Sequence, residues 1–148
     1  MMKTAGDVMT RDVLSVTPDS SIADAVEIIL ENRITALPVV DEKGRLQGII
    51  GEHDLLRATE AKRESHDAWW PALLAASTEL LGQGKEKVED VMSRDILLAS
   101  EEDSLQKLVA MLSNRQTKSL PIVRNGKLVG IVSRIDILRY LARERTML

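Results

Sequence analysis

The chain has 148 residues, 44% hydrophobic and 29% charged, with a formal net charge of −3 and no cysteine. That length suits one domain, or two small units sharing a core. The charge gives no reason to expect nucleic acid, and the missing thiols exclude disulfides, thiolate nucleophiles and thiolate metal sites.

Taken from the start, the chain reaches Asp7 before any apolar run, so no signal peptide is expected. No apolar run approaches the roughly 20 residues of a membrane span, so the expectation is a soluble, cytoplasmic protein. Residues 12–16 read as a short strand, stopped by Thr17-Pro18-Asp19-Ser20, which also offers an N-cap. Ile22, Ala25, Val26, Ile29 and Leu30 then recur at helical spacing, giving one apolar face through about Arg33. Leu37-Pro38-Val39-Val40 and Leu46-Gln47-Gly48-Ile49-Ile50 predict two strands, joined by a turn in which Gly44 supplies a positive φ. A further helix starts near Glu52 and runs through Leu55, Leu56 and Ala58.

The plan is then written a second time. Val8-Met9-Thr10-Arg11-Asp12 is answered by Val91-Met92-Ser93-Arg94-Asp95, and Ala36-Leu37-Pro38-Val39-Val40 by Ser119-Leu120-Pro121-Ile122-Val123. Gly48-Ile49-Ile50-Gly51-Glu52-His53-Asp54-Leu55-Leu56-Arg57 returns as Gly130-Ile131-Val132-Ser133-Arg134-Ile135-Asp136-Ile137-Leu138-Arg139. Residues 8–57 align with 91–139 at one offset, apart from a one-residue gap near Lys43. The second copy predicts a strand at 95–99, a helix at about 103–115, strands at 119–124 and 127–132, and a helix from Arg134. Its Asn125-Gly126 turn is shorter than the first copy's, which explains the gap. Two copies are too few for a solenoid, so this is a duplicated β-α-β-β-α unit.

Residues 58–89 have no counterpart. Pro71 and Gly82 bracket an apolar stretch in the manner of a helix start and stop, and thirty-odd residues are too many for a plain connection. A helical insertion is expected. Trp69 and Trp70 either cover the module's own core or form a dimer or partner contact. With Tyr140 they are the only aromatic residues, so the core must be built from Ile, Leu, Val, Ala and Met.

The catalytic inventory is short. His53 and His66 have no metal-ligand spacing, and there is no phosphate loop or nucleophile elbow. No catalytic residue and no metal site is expected. The repeated Ser133-Arg134-Ile135-Asp136 has two readings. It is a capping box, in which Ser and Asp satisfy orphan N–H groups where a strand enters a helix. It is also a turn with free N–H donors, whose carboxylate can accept paired ribose hydroxyls, with Gly130 allowing close backbone approach.

These paired motifs resemble tandem cystathionine β-synthase (CBS) domains, often called a Bateman module, over nearly the whole chain except 58–89. The resemblance implies an α/β (α+β) fold of two β-α-β-β-α repeats packed with pseudo-two-fold symmetry, the helical insertion between them. It divides the chain into a first repeat (1–57), the insertion (58–89) and a second repeat (90–148). It further implies two clefts taking AMP, ADP, ATP or S-adenosylmethionine as a regulatory ligand, with no catalytic cofactor. One cleft would use Thr17, Ile22, Ile34 and Thr35 with Ser133, Ile135 and Asp136, and Arg134 near phosphate. The other would use Ser100, Leu105, Thr117 and Lys118 with Gly51, His53 and Asp54, where Gly51 departs from the usual Ser or Thr. The cleft with Asp136 is the better match.

The resulting expectation is a stand-alone, non-enzymatic sensor of adenine nucleotides, a homodimer acting on a separately encoded protein, with no nucleic-acid or membrane partner. The alternative is a dimerisation or scaffolding module with empty clefts.

Overall fold

The structure, a computed structural model, describes residues 3–58, 87–113 and 117–146. The expected helical insertion, with Trp69, Trp70 and Pro71, and also His66, lies outside the described residues. In chain order the elements are helix α1 (Ala5–Val8), helix α2 (Ile22–Asn32), strands β1 (Ala36–Val40) and β2 (Leu46–Gly51), and helix α3 (described over 52–58). Helix α4 (Val88–Val91), strand β3 (Ala99–Ser100), helix α5 (Leu105–Leu112), strands β4 (Ser119–Arg124) and β5 (Lys127–Ser133) and helix α6 (Arg134–Thr146) follow. This is the mixed α+β fold expected, and both hairpins fall where the sequence places them.

The chain packs as two compact units. One comprises Met1–Leu14, Lys43–Leu46 and Ile96–Leu148; the other comprises Ser15–Glu42 and Gln47–Asp95. In the first unit β3 lies parallel to β4, Ala99 beside Ile122, and β4 pairs antiparallel with β5 from Ser119–Ser133 to Arg124–Lys127, with a bulge between Ile122 and Val123. Thr10 adds a bridge to Ile131, its N–H donating at 2.9 Å and its carbonyl accepting at 3.0 Å. Helix α1 is fixed through the Ala5 and Gly6 N–H groups, which donate to the carbonyls of Asp103 (2.8 Å) and Glu101 (3.0 Å).

The second unit repeats this construction. Strands β1 and β2 pair, Val16 bridges Val39 in parallel, and Ser93 bridges Ile49. The Val88 and Glu89 N–H groups donate to the carbonyls of Ser20 (2.8 Å) and Pro18 (2.9 Å). Each unit therefore takes its V-M-[TS] segment from one copy and its paired strands from the other. The internal match also begins earlier than the sequence alignment, with α1 and α4 as equivalents.

The expected strands at 12–16 and 95–99 are mostly unpaired. Val16 makes a single bridge, and β3 begins only at Ala99. The chain passes from one unit to the other at Leu14–Ser15 and at Asp95–Ile96. A segment leaving one sheet for another has no neighbour on which to build a ladder.

Local signals explain the rest. Ser21 and Ser104 cap α2 and α5, accepting from the N–H of Asp24 (3.1 Å) and Lys107 (3.2 Å). Asn125 and Gly126 hold φ of 53° and 80°, the pair of positive values a two-residue hairpin turn requires, and Gly44 holds 80° in the longer turn.

The two cores use equivalent positions. Ala5, Met9, Ala99, Leu108, Leu112, Leu120, Ile122, Val132 and Ile137 fill one; Val88, Met92, Val16, Ala25, Ile29, Leu37, Val39 and Ile50 fill the other. Where Ala5 and Ala99 stand in one core, Val88 and Val16 stand in the other; where that second core has Ala25, the first has Leu108. Two gains and one loss nearly cancel in volume, as a core at native density demands.

Candidate functional site

The duplicated strand-to-helix turn places a carboxylate at a helix start in both copies, Asp54 in one and Asp136 in the other. In the first unit, Ser133 closes β5 and Asp136 lies in the first turn of α6. Asp136 Oδ2 accepts from the Ser133 N–H at 2.8 Å and the Ser133 hydroxyl at 3.0 Å, and the Asp136 N–H donates back to Ser133 Oγ at 3.3 Å. This is the reciprocal capping box expected of Ser-x-x-Asp. In the second unit Asp54 Oδ2 accepts the Gly51 N–H at 2.9 Å, and the hydroxyl that Ser133 contributes is missing.

The second oxygen of each carboxylate has partners the sequence reading did not assign. Thr10 Oγ1 donates to Asp136 Oδ1 at 3.3 Å, with Arg139 Nη1 4.0 Å away. Ser93 Oγ donates to Asp54 Oδ1 at 2.5 Å, and Arg57 Nη2 lies at the same distance. The signal was present: a Thr or Ser in each V-M-[TS] string, and an Arg three residues after each Asp, recur in both copies of the repeat. The V-M-[TS] strings served only as landmarks of the repeat. Their contact with the Asp depends on a sheet that brings segments 126 residues apart together in the first unit.

The glycines of the motif serve the same contact. A β-carbon on Gly48 would lie 2.7 Å from the Ser93 carbonyl oxygen, and one on Gly130 2.5 Å from Met9 Sδ. The close approach that these glycines permit is that of the V-M-[TS] segment.

The remaining expected site residues divide between the units. In the second unit, Thr17 follows the Val16 bridge, its hydroxyl 2.6 Å from Asp19 Oδ1 and its N–H donating to Ser20 Oγ at 3.1 Å. Ile22 is buried at the start of α2, Ile34 packs against the core, and Thr35 is exposed with its carbonyl accepting the Glu52 N–H at 3.2 Å. His53 is exposed and Asp54 is buried. In the first unit, the Ser100 N–H donates to Asp103 Oδ2 at 2.9 Å, and Leu105 packs against the core. Thr117 is half-buried, Lys118 exposed, and Ile135 exposed. Arg134 Nε donates to the Leu112 carbonyl at 3.1 Å, tying the start of α6 to the end of α5. The structure thus brings Ser133 and Asp136 together, and Gly51 and Asp54 together. Thr17, Ile22, Ile34 and Thr35 belong to the other unit from Ser133, Arg134, Ile135 and Asp136. Ser100, Leu105, Thr117 and Lys118 belong to the other unit from Gly51, His53 and Asp54.

Several carboxylates elsewhere are held below their ordinary pKa. The Thr4 N–H does this for Asp7, the Thr17 hydroxyl for Asp19, and the Ser100 N–H for Asp103. Tyr140 on α6 is raised, by desolvation first and by its bond to Glu144 second. Among the described residues, no group of three or more His, Asp or Glu could hold a metal ion, and no helix is long and apolar enough to cross a membrane.

The chain is similar to the CBS domain-containing protein CBSX1, chloroplastic, of Arabidopsis thaliana, 31% identical over 92% of this chain and 63% of the relative. The first curated relatives it matches are longer: the chain spans less than two thirds of them, down to 23% of an inosine-5'-monophosphate dehydrogenase of Methanocaldococcus jannaschii. Among solved structures, it resembles Arabidopsis CBSX2 in complex with AMP, with TM-score 0.76, 28% identity, and coverage of 97% of this chain and 98% of that one. It also resembles the CBS domain pair of MJ0100 in complex with 5'-methylthioadenosine and S-adenosyl-L-methionine, with TM-score 0.72, 25% identity, and coverage of 97% and 99%. A family model matches twice, over residues 5–61 and 88–143, and both matches carry the ladder, glycine and Asp turn described above. The chain belongs to the CBS domain family.

Proposed function

We propose that the chain is a regulatory module that binds an adenosyl ligand, AMP, ADP, ATP or S-adenosylmethionine, and signals the binding to a protein partner. The observation that carries this reading is the Ser133–Asp136 turn. A hydroxyl and a carboxylate lie 3.0 Å apart at the start of a 13-residue helix, a donor–acceptor set suited to a ribose diol. Support comes from CBSX2, whose structure is a complex with AMP, and MJ0100, whose structure holds two adenosyl compounds. The expected base-facing residues Thr17, Ile22, Ile34 and Thr35 enter on the family resemblance, as do a homodimer and energy sensing. Regulation requires that the ligand favour one conformation over another, since equal affinity for both shifts nothing.

Thermal unfolding with AMP, ADP, ATP and S-adenosylmethionine, beside Asp136→Ala, tests the reading. A ligand at about 100 times its Kd stabilises the fold by roughly 2.7 kcal/mol, a rise of about 2–4 °C per kcal/mol for a chain of this size. A rise with one ligand, lost in the variant, supports the sensor. A flat panel at millimolar ligand removes it.

A second reading, a dimerisation or scaffolding module whose motifs only cap and pack, is favoured by one observation. Both carboxylates already have partners on both oxygens inside their own units.

A further inference from the structure

The two Asp turns share a construction but not a loading. At Asp54 one oxygen takes the Ser93 hydroxyl and the Arg57 guanidinium, each at 2.5 Å, and the other takes the Gly51 N–H. At Asp136 the equivalent hydroxyl stands at 3.3 Å and the equivalent guanidinium at 4.0 Å. The Asp54 side chain is 7% accessible and that of Asp136 12%. A carboxylate oxygen offers about two lone-pair sites, so Asp54 Oδ1 is filled. Its partners include a charge-assisted bond of the stronger class, which a neutral ribose hydroxyl does not replace on equal terms.

A second observation points the same way. A β-carbon on Gly51 would lie 3.0 Å from the Thr35 carbonyl oxygen and 3.3 Å from Ala36 Cβ. The position that carries the Ser133 hydroxyl in one unit is crowded by backbone in the other. The second turn lacks the hydroxyl and has little space to regain it.

We infer that the Asp54 turn is a closed internal clamp, held by Ser93 and Arg57, and that the chain therefore takes one adenosyl ligand, at the Asp136 turn. The inference rests on the adenosyl-binding reading above and adds its stoichiometry. The two copies have divided the labour: one Asp fastens the V-M-[TS] segment to its unit, and the other keeps its outer oxygen loosely held. Ser93 and Arg57 are positioning residues, acting on the ligand only through Asp54.

Calorimetric titration of the full chain with AMP and, separately, with S-adenosylmethionine tests this, on wild type and Asp136→Asn. One equivalent per chain is expected, with affinity at least about tenfold weaker in the variant, the size of a lost hydrogen bond to a charged group. Two equivalents, or one that Asp136→Asn leaves intact, would overturn the inference while leaving adenosyl binding standing. If neither ligand binds, the function proposed above loses these two ligands, and the clamp is judged by urea unfolding. Ser93→Ala and Arg57→Ala then lower the midpoint, and Thr10→Val and Arg139→Ala do so by less than half as much. Equal shifts would overturn it.

Discussion

Met9 Sδ lies 2.5 Å from the point where a β-carbon of Gly130 would stand, and Thr10 O lies 3.1 Å from it. Met9 is buried in the core of the first unit, and Thr10 bridges Ile131. The glycine is thus required by the packing of the chain's own N-terminal segment. Gly48 has the same role toward Met92 and Ser93, but there the closest atom is a backbone oxygen at 2.7 Å.

Substituting these glycines follows from that difference. Gly130→Ala meets the flexible end of a methionine and costs about 1–3 kcal/mol by overpacking. Gly48→Ala meets backbone already committed to the Ile49–Ser93 bridge, so its cost is the larger. Urea midpoints of the two variants decide the order, and a milder Gly48→Ala would contradict the packing described.

The compensated cores predict a non-additive set. Ala25→Leu, which imports the residue found at Leu108, overpacks the second unit by about 1–3 kcal/mol. Adding Val16→Ala and Val88→Ala, the residues found at Ala99 and Ala5, recovers part of the loss, although each alone destabilises. The thermal midpoint of the triple variant, set against the sum of its parts, measures the coupling.

Ser21→Ala and Ser104→Ala each remove an acceptor at a helix start and cost about 1 kcal/mol. The corresponding Ser→Gly changes cost only a few tenths. Denaturant unfolding resolves the difference, and equal costs for Ala and Gly would count against capping.

Stability falls in acid. Asp7, Asp19 and Asp103 have folded pKa values below the unfolded 3.8, so their contribution is present above that pH and is lost as pH drops through the folded values. All three are largely solvent-screened, so the loss per group is small. Asp103→Asn flattens part of the curve below pH 3.8 in urea titrations, whereas its midpoint at pH 7 is lower than wild type. Tyr140 acts at the other end. Its raised pKa keeps the folded ring neutral while the unfolded one ionises near 10.0, so stability declines as pH rises beyond that point, and Tyr140→Phe removes this limb.

Much of the fold was legible because it is written twice in local signals. Serine caps, the Asn125-Gly126 turn, the positive φ at Gly44 and the helical spacing of Ile22, Ala25 and Ile29 all act within a few residues of chain. The capping geometry of Ser133 and Asp136 was legible for the same reason. Not legible were Thr10 and Ser93 as partners of the two carboxylates. Nor was the late start of pairing in 12–16 and 95–99, at Val16 and Ala99, because both follow from where the chain changes units.

By itself, then, the sequence determined the repeated unit, its hairpins and longer helices, and the two Asp turns, since periodicity, caps and turn residues are properties of neighbours. Only the tertiary structure decided which copy's V-M-[TS] segment completes which sheet. It also decided that Gly48 and Gly130 make room for that segment, and that Asp54 is held at 2.5 Å where Asp136 is held at 3.3 Å. Those are contacts between segments distant in sequence, set by how two cores fill their space, and no local pattern encodes them.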